Sequence, residues 1–92
     1  MTSAKKDRAK GALMGAFVGE ALGVGPHWYY DLEKMRTDYG EWIDDYTEPK
    51  AGRYHGGLKA GEISQAGILL QLMVEHLIEN DGYNQDAFCK MM

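Results

Sequence analysis

Arg8-Ala9-Lys10-Gly11-Ala12-Leu13-Met14-Gly15-Ala16-Phe17-Val18-Gly19-Glu20-Ala21-Leu22-Gly23 carries a glycine at every fourth position. On an α-helix this spacing lines the glycines along one stripe and leaves a groove free of Cβ atoms. Each glycine costs a helix about 0.8–1 kcal/mol relative to alanine, so the stripe is expected to serve a close approach, by another helix or by a ligand. Ala9, Leu13, Ala16, Phe17 and Ala21 recur at helical spacing behind Ser3, a suitable N-cap. The pattern predicts a first helix over residues 4–22, ended by Gly23.

The helix opens onto Gly25-Pro26-His27-Trp28-Tyr29-Tyr30, where polar aromatic side chains meet flexible backbone. Asp31 caps a short second helix that runs to about Tyr39 and closes at Gly40. Residues 41–61 hold Pro49, Gly52, Gly56, Gly57 and Gly61 and read as one long loop. Trp42, Ile43, Tyr46 and Tyr54 give that loop apolar surface, so it is expected to be ordered. Ser64 then caps a third helix, striped by Ala66, Leu69, Leu70, Met73 and Leu77 and widened by Ile68, Leu72, Val74 and Ile78. A helix apolar over so much of its circumference is expected to be covered on several sides. Gly82 ends it, and Asn84 caps a fourth helix that reaches the last residue, Met92.

The chain has 92 residues, 10 basic and 14 acidic side chains and a net charge of −4. No basic block is dense enough to neutralise a row of phosphates, which argues against nucleic acid as a partner. The single cysteine, Cys89, cannot form an internal disulfide. Lys5, Lys6, Arg8 and Lys10 ahead of Ala12–Val18 imitate a signal peptide, but Glu20 and the glycines interrupt the apolar run. That run is also far short of the roughly 20 residues a membrane helix needs. The expectation is a cytoplasmic protein without a membrane partner. So small a chain buries only about 60–65% of its unfolded surface. With its last helix barely two turns long, it reads as an N-terminal fragment, residues 1–92, of a larger domain.

Gly52-Arg53-Tyr54-His55-Gly56-Gly57-Leu58-Lys59 misses a phosphate-binding P-loop, because Leu58 stands where the lysine belongs and no strand precedes it. Gly23-Val24-Gly25 lacks the third glycine of a dinucleotide fingerprint. His27, His55 and His76 are too far apart in sequence for a local zinc motif. His76 lies beside the apolar stripe of the third helix and is expected to be a buried, hydrogen-bonded histidine. His27 and His55 sit in glycine-rich loops among Trp28, Tyr29, Tyr30, Arg53 and Tyr54, which suits either ligand binding or aromatic packing. Asp44 and Asp45 form a solvated turn or a weak site for a hard cation.

Taken together, Arg8–Gly23 and Gly61-Glu62-Ile63-Ser64-Gln65-Ala66-Gly67 resemble the ADP-ribosylglycohydrolases. The opening helix of that family ends in Gly-Asp-Ala-Leu-Gly, and Glu20 takes the place of the aspartate. A Gly-x-x-Thr-Asp-Asp-Thr signature opens a long apolar helix in the family, and Ser64, Gln65, Ala66 and Gly67 stand in its last four positions. His27 to Asp31, Gly52 to His55 and Leu58 to Gln65 are similar to a divergent branch that includes the J-class crystallins of eye lens.

The resemblance implies an all-α fold, namely the N-terminal helices of an ADP-ribosylglycohydrolase-like orthogonal helical bundle with a long ordered loop. It implies hydrolysis of ADP-ribose glycosidic linkages by the complete protein, acting on an ADP-ribose-type small molecule or an ADP-ribosylated protein. Gly23, His27, Trp28, Ser64 and Gln65 are expected to line the ligand pocket, with His27 as the proton-handling residue. The family's paired magnesium ions are bound in part through Thr-Asp-Asp oxygens. Here Ser64 keeps a hydroxyl and Gln65 a neutral carbonyl, while the paired aspartates become Gln65 and Ala66, so Mg²⁺ binding is weakened. A non-catalytic ADP-ribose binder or a crystallin-like structural protein is the alternative reading.

Overall fold

The computed structural model describes residues 2–92. Four helices follow one another along the chain: α1 (Ser3–Gly23), α2 (Leu32–Tyr39), α3 (Gln65–Asn80) and α4 (Gln85–Met91), with no strand among the described residues. The fold is therefore all-α, as the sequence predicts.

Helix ends follow the expected chemistry with two differences. The N-cap of α1 is Thr2, not Ser3: the Thr2 hydroxyl oxygen accepts from the Lys5 amide at 3.1 Å, and Ser3 is already helical. Asp31 caps α2 by accepting from the amides of Glu33 and Lys34. Ser64 holds the N-cap position of α3, yet its side chain makes no capping bond because its hydroxyl donates to Glu20 of α1 instead. Asp81 ends α3 in a left-handed conformation, φ 48°, and the Gly82 amide returns to the Leu77 carbonyl at 3.2 Å. Asn84 caps α4 through the Ala87 amide at 2.9 Å.

Two junctions hold the helices together. Where α1 meets α3, a Cβ at Gly67 would stand 2.7 Å from Glu20 Cγ and 2.8 Å from Ile63 Cβ. Gly67 is therefore the residue that lets these two helices touch. At the other end of α3, His76 is fully buried. Its Nε2 accepts from the Asn84 amide at 2.9 Å, and its Nδ1 lies 3.0 Å from the Asn80 side-chain nitrogen, which also donates to the His76 carbonyl. Tyr83 and Phe88 pack edge-on against the imidazole. The expected buried, hydrogen-bonded histidine is thus the pin of the α3–α4 corner.

The glycine stripe corrects an expectation. A Cβ at Gly11, Gly15, Gly19 or Gly23 would meet nothing within 4 Å, so no helix packs on the stripe among the described residues. Nor is α3 covered on several sides, since Ile68, Leu69, Leu77 and Ile78 are exposed along with Leu13 and Met14 of α1. The radius of gyration is 16.5 Å, against about 12 Å for a compact domain of this length. An open arrangement of this kind leaves apolar faces in water.

Segment 41–61 is ordered by a chain of contacts to the turn after α1. The Tyr39 hydroxyl lies 3.0 Å from the Gly25 carbonyl and 2.9 Å from that of Glu48, where its one proton bridges both. A Cβ at Gly25 would collide with the Thr47 side chain, so glycine is required for the loop to lie this close. Arg53 completes the attachment by donating from Nη2 to the Trp28 carbonyl while its guanidinium stacks 3.8 Å from the Tyr29 ring centre. Tyr29 in turn donates to Asp38 of α2 at 2.5 Å. Burial first, and this bond second, push the Tyr29 phenol above the ordinary tyrosine range.

Candidate functional site

The loop contacts bring together side chains that are far apart in sequence. Gly19, Glu20, Gly23 and Val24 from the end of α1 line a cavity of about 210 Å³ together with His27, His55, Ser64 and Ala66. A second hollow of about 270 Å³ lies alongside, lined by Tyr54, Gln65 and Leu69 and sharing His27, His55, Ser64 and Ala66. His27 and Ser64 therefore face a common cleft, with Gly23 on one side of it and Gln65 on the other. Trp28 is the exception among the five expected pocket residues. It lines a separate hollow of about 320 Å³ with Tyr30, Gly52, Arg53 and Tyr54. The reason is its backbone: Trp28 adopts φ 61°, which carries its side chain out of the line of His27. A bulky residue in that region is strained by roughly 1–2 kcal/mol, and the Arg53 bond to its carbonyl holds it there.

Two further residues of the cleft stand outside the set that the resemblance implied. Glu20 Oε1 accepts from the Ser64 amide at 3.0 Å and from the Ser64 hydroxyl. This places a carboxylate at the N-terminus of α3, where the helix dipole favours negative charge. Ser64 is buried and its hydroxyl is occupied. His55 arrives from the long loop and meets His27 nitrogen to nitrogen, Nε2 to Nδ1, at 2.5 Å. The two rings are nearly coplanar, 26° apart, and the Tyr54 ring stands edge-on to His27. Desolvation, then the neighbouring His27, lower the His55 pKa below the ordinary histidine range, with Glu20 acting in the opposite direction. The sequence signal for Glu20 was its place in the glycine stripe, one residue after Gly19. For His55 it was the Tyr-His pair inside a glycine-rich loop, which named the loop without naming its partner.

The oxygens needed for a divalent ion pair do not fit. The Ser64 hydroxyl is turned to Glu20, Gln65 carries no charge, and Ala66 and Gly67 have no side-chain oxygen. Among the described residues no three His, Cys, Asp or Glu side chains converge into a metal-binding group. Asp44 and Asp45 are exposed, and the Asp45 carboxylate accepts from the Tyr46 amide. No helix among the described residues is long and apolar enough to cross a membrane.

Comparison with known proteins gives a consistent picture. The sequence profile of the family described as ADP-ribosylglycohydrolase matches residues 1–92. Crystallin J1A of Tripedalia cystophora is 31% identical over 88 residues, which covers 86% of this chain and 24% of that protein. Crystallin J1B of the same organism is 30% identical over 84 residues, again 86% of this chain and 24% of the relative. The chain thus spans about a quarter of the length of these curated relatives. No solved structure matches it significantly.

Proposed function

The chain belongs to the ADP-ribosylglycohydrolase family, and from that premise we propose that its cleft recognises ADP-ribose and forms the N-terminal part of a site for hydrolysing ADP-ribose glycosidic linkages. The observation that carries this reading is the shared cavity of His27 and Ser64, 37 positions apart in sequence, beside the open glycines of α1. Backbone near Gly19 and Gly23 has no Cβ to hold a ligand off. The exposed rings of Trp28 and Tyr54, 4.4 Å apart and tilted by 47°, offer apolar aromatic surface next door for a nucleobase. The ligand is a free ADP-ribose-type molecule or the modified side chain of a protein, met in the cytoplasm.

His27 is the proton-handling residue of this reading: it is exposed at the cleft and its Nε2 has no hydrogen-bond partner among the described residues. The family is metal-dependent, and the ion implied by the resemblance is Mg²⁺, which in a complete site would polarise the reacting oxygen. Ser64 and Gln65 are the residues that correspond to its ligands, and they are a poor match for it.

That same mismatch supports a second reading, an ADP-ribose binder or structural protein without catalysis. Calorimetric titration with ADP-ribose, with and without Mg²⁺, separates the two. Metal-independent binding without turnover supports the binder, and release of ADP-ribose from a modified peptide by the complete protein supports the hydrolase. The absence of any binding would overturn the proposal.

A further inference from the structure

We infer that His55 is the positioning residue of His27: its Nε2 accepts the His27 Nδ1–H, leaving His27 Nε2 as the ring's free acceptor for a hydroxyl or water of the bound ligand. The inference deepens the reading above and rests on it for the identity of the ligand, though not for the geometry.

Two imidazole nitrogens 2.5 Å apart require one hydrogen between them. With none the lone pairs repel, and with two the N–H groups collide. Which ring supplies it follows from their surroundings. His27 is exposed, while His55 is half-buried, with ring centres 4.6 Å from both Tyr54, which meets it edge to face, and His27. The other polar groups lining this cavity are Glu20 from α1 and Ser64 at the start of α3, which are bonded to each other. Desolvation first and His27 second lower the His55 pKa, so a proton is disfavoured on that ring. When His27 Nε2 takes a proton from a bound hydroxyl or water, Nδ1–H must still find an acceptor, and His55 Nε2 is the one within reach. The proton returns to the same oxygen or to its leaving group, so the pair undergoes no net change.

The loop is built to keep His55 in that place. Successive turns close around it, from the Arg53 amide to the Lys50 carbonyl at 3.1 Å, the Gly56 amide to the Arg53 carbonyl at 2.9 Å and the Leu58 amide to the His55 carbonyl at 3.1 Å. At Gly56 a Cβ would lie 3.1 Å from the Arg53 carbonyl oxygen, and Gly57 has φ 101°. A side chain so anchored fixes the tautomer of its partner as a second hydrogen-bonding group fixes a catalytic imidazole.

The test is the tautomer of His27, read from long-range ¹H–¹⁵N spectra of the labelled chain without ligand. The wild type is expected to show His27 protonated at Nδ1, with that proton shifted downfield by the short bond. His55→Gln, whose amide oxygen can accept in the same position, keeps the signal, and His55→Phe loses it. ADP-ribose affinity is expected to fall about three- to tenfold in His55→Phe, the equivalent of one hydrogen bond, and to recover in His55→Gln. Wild-type His27 protonated at Nε2, or a His27 signal indifferent to both substitutions, would overturn the inference. The wild-type spectrum decides even where His55→Phe fails to fold. Failure of ADP-ribose to bind the wild type would sink the ligand assignment while leaving the tautomer result standing.

Discussion

Glu20 shows how one side chain can carry a helix crossing. It accepts from both the amide and the hydroxyl of Ser64, two donors that the start of α3 would otherwise leave unpaired. Glu20→Ala orphans them in a partly buried place, and a loss of about 1–3 kcal/mol is expected. For a domain of this size each kcal/mol lowers the melting temperature by about 4–8 °C, which thermal denaturation resolves. His55 makes a prediction about acid. Its folded-state pKa lies below that of the unfolded chain, so the unfolded state binds the proton first. This contribution to stability is complete above the ordinary histidine pKa of about 6.5 and is lost as pH falls through and below it. Melting temperatures of the wild type and His55→Gln, compared between pH 7.5 and pH 5, are expected to converge on acidification. Neither residue's role was legible from its neighbours in sequence, because each is defined by a partner 28 to 44 positions away.

Helices were the most legible level. Gly23, Gly40 and Gly82 mark chain breaks after α1, α2 and α3, and Asp31 and Asn84 cap as their chemistry demands. The glycines, however, divide by function in a way their spacing does not reveal. Gly67 lies in a contact, and Gly67→Ala forces its Cβ against Glu20 and Ile63, with a cost of about 1–3 kcal/mol expected from overpacking. Gly15 lies in open space, so Gly15→Ala is expected to stabilise α1 by about 0.5–1 kcal/mol. Urea denaturation of the two variants checks both signs in one experiment. A destabilising Gly15→Ala would mean that the stripe is covered by something in solution.

On the scale of the whole molecule, exposed apolar residues dominate. Leu13, Met14, Ile68, Leu69, Leu77 and Ile78 lie at the surface, while among the described residues only Ala21, Val24 and Phe88 form the buried hydrophobic core. The 92-residue chain is therefore expected to bind the dye ANS and to associate with rising concentration in sedimentation velocity. It is also expected to release no ADP-ribose from modified peptides by itself, because the residues present do not assemble a metal site; turnover by the purified chain would contradict this. Local spacing and capping chemistry determined the helical class, the helix boundaries to within a residue or two and the order of the long loop, while the candidacy of His27 and Ser64 came from the resemblance of their motifs to a family. The first three follow from contacts within a few residues, which a sequence displays directly. The tertiary structure alone decided that Glu20 ties α1 to α3, that His55 faces His27, that Trp28 turns into a neighbouring hollow and that the glycine stripe stands open. Such facts depend on how distant segments meet, and that is fixed by packing and by long-range hydrogen bonds that no local pattern encodes.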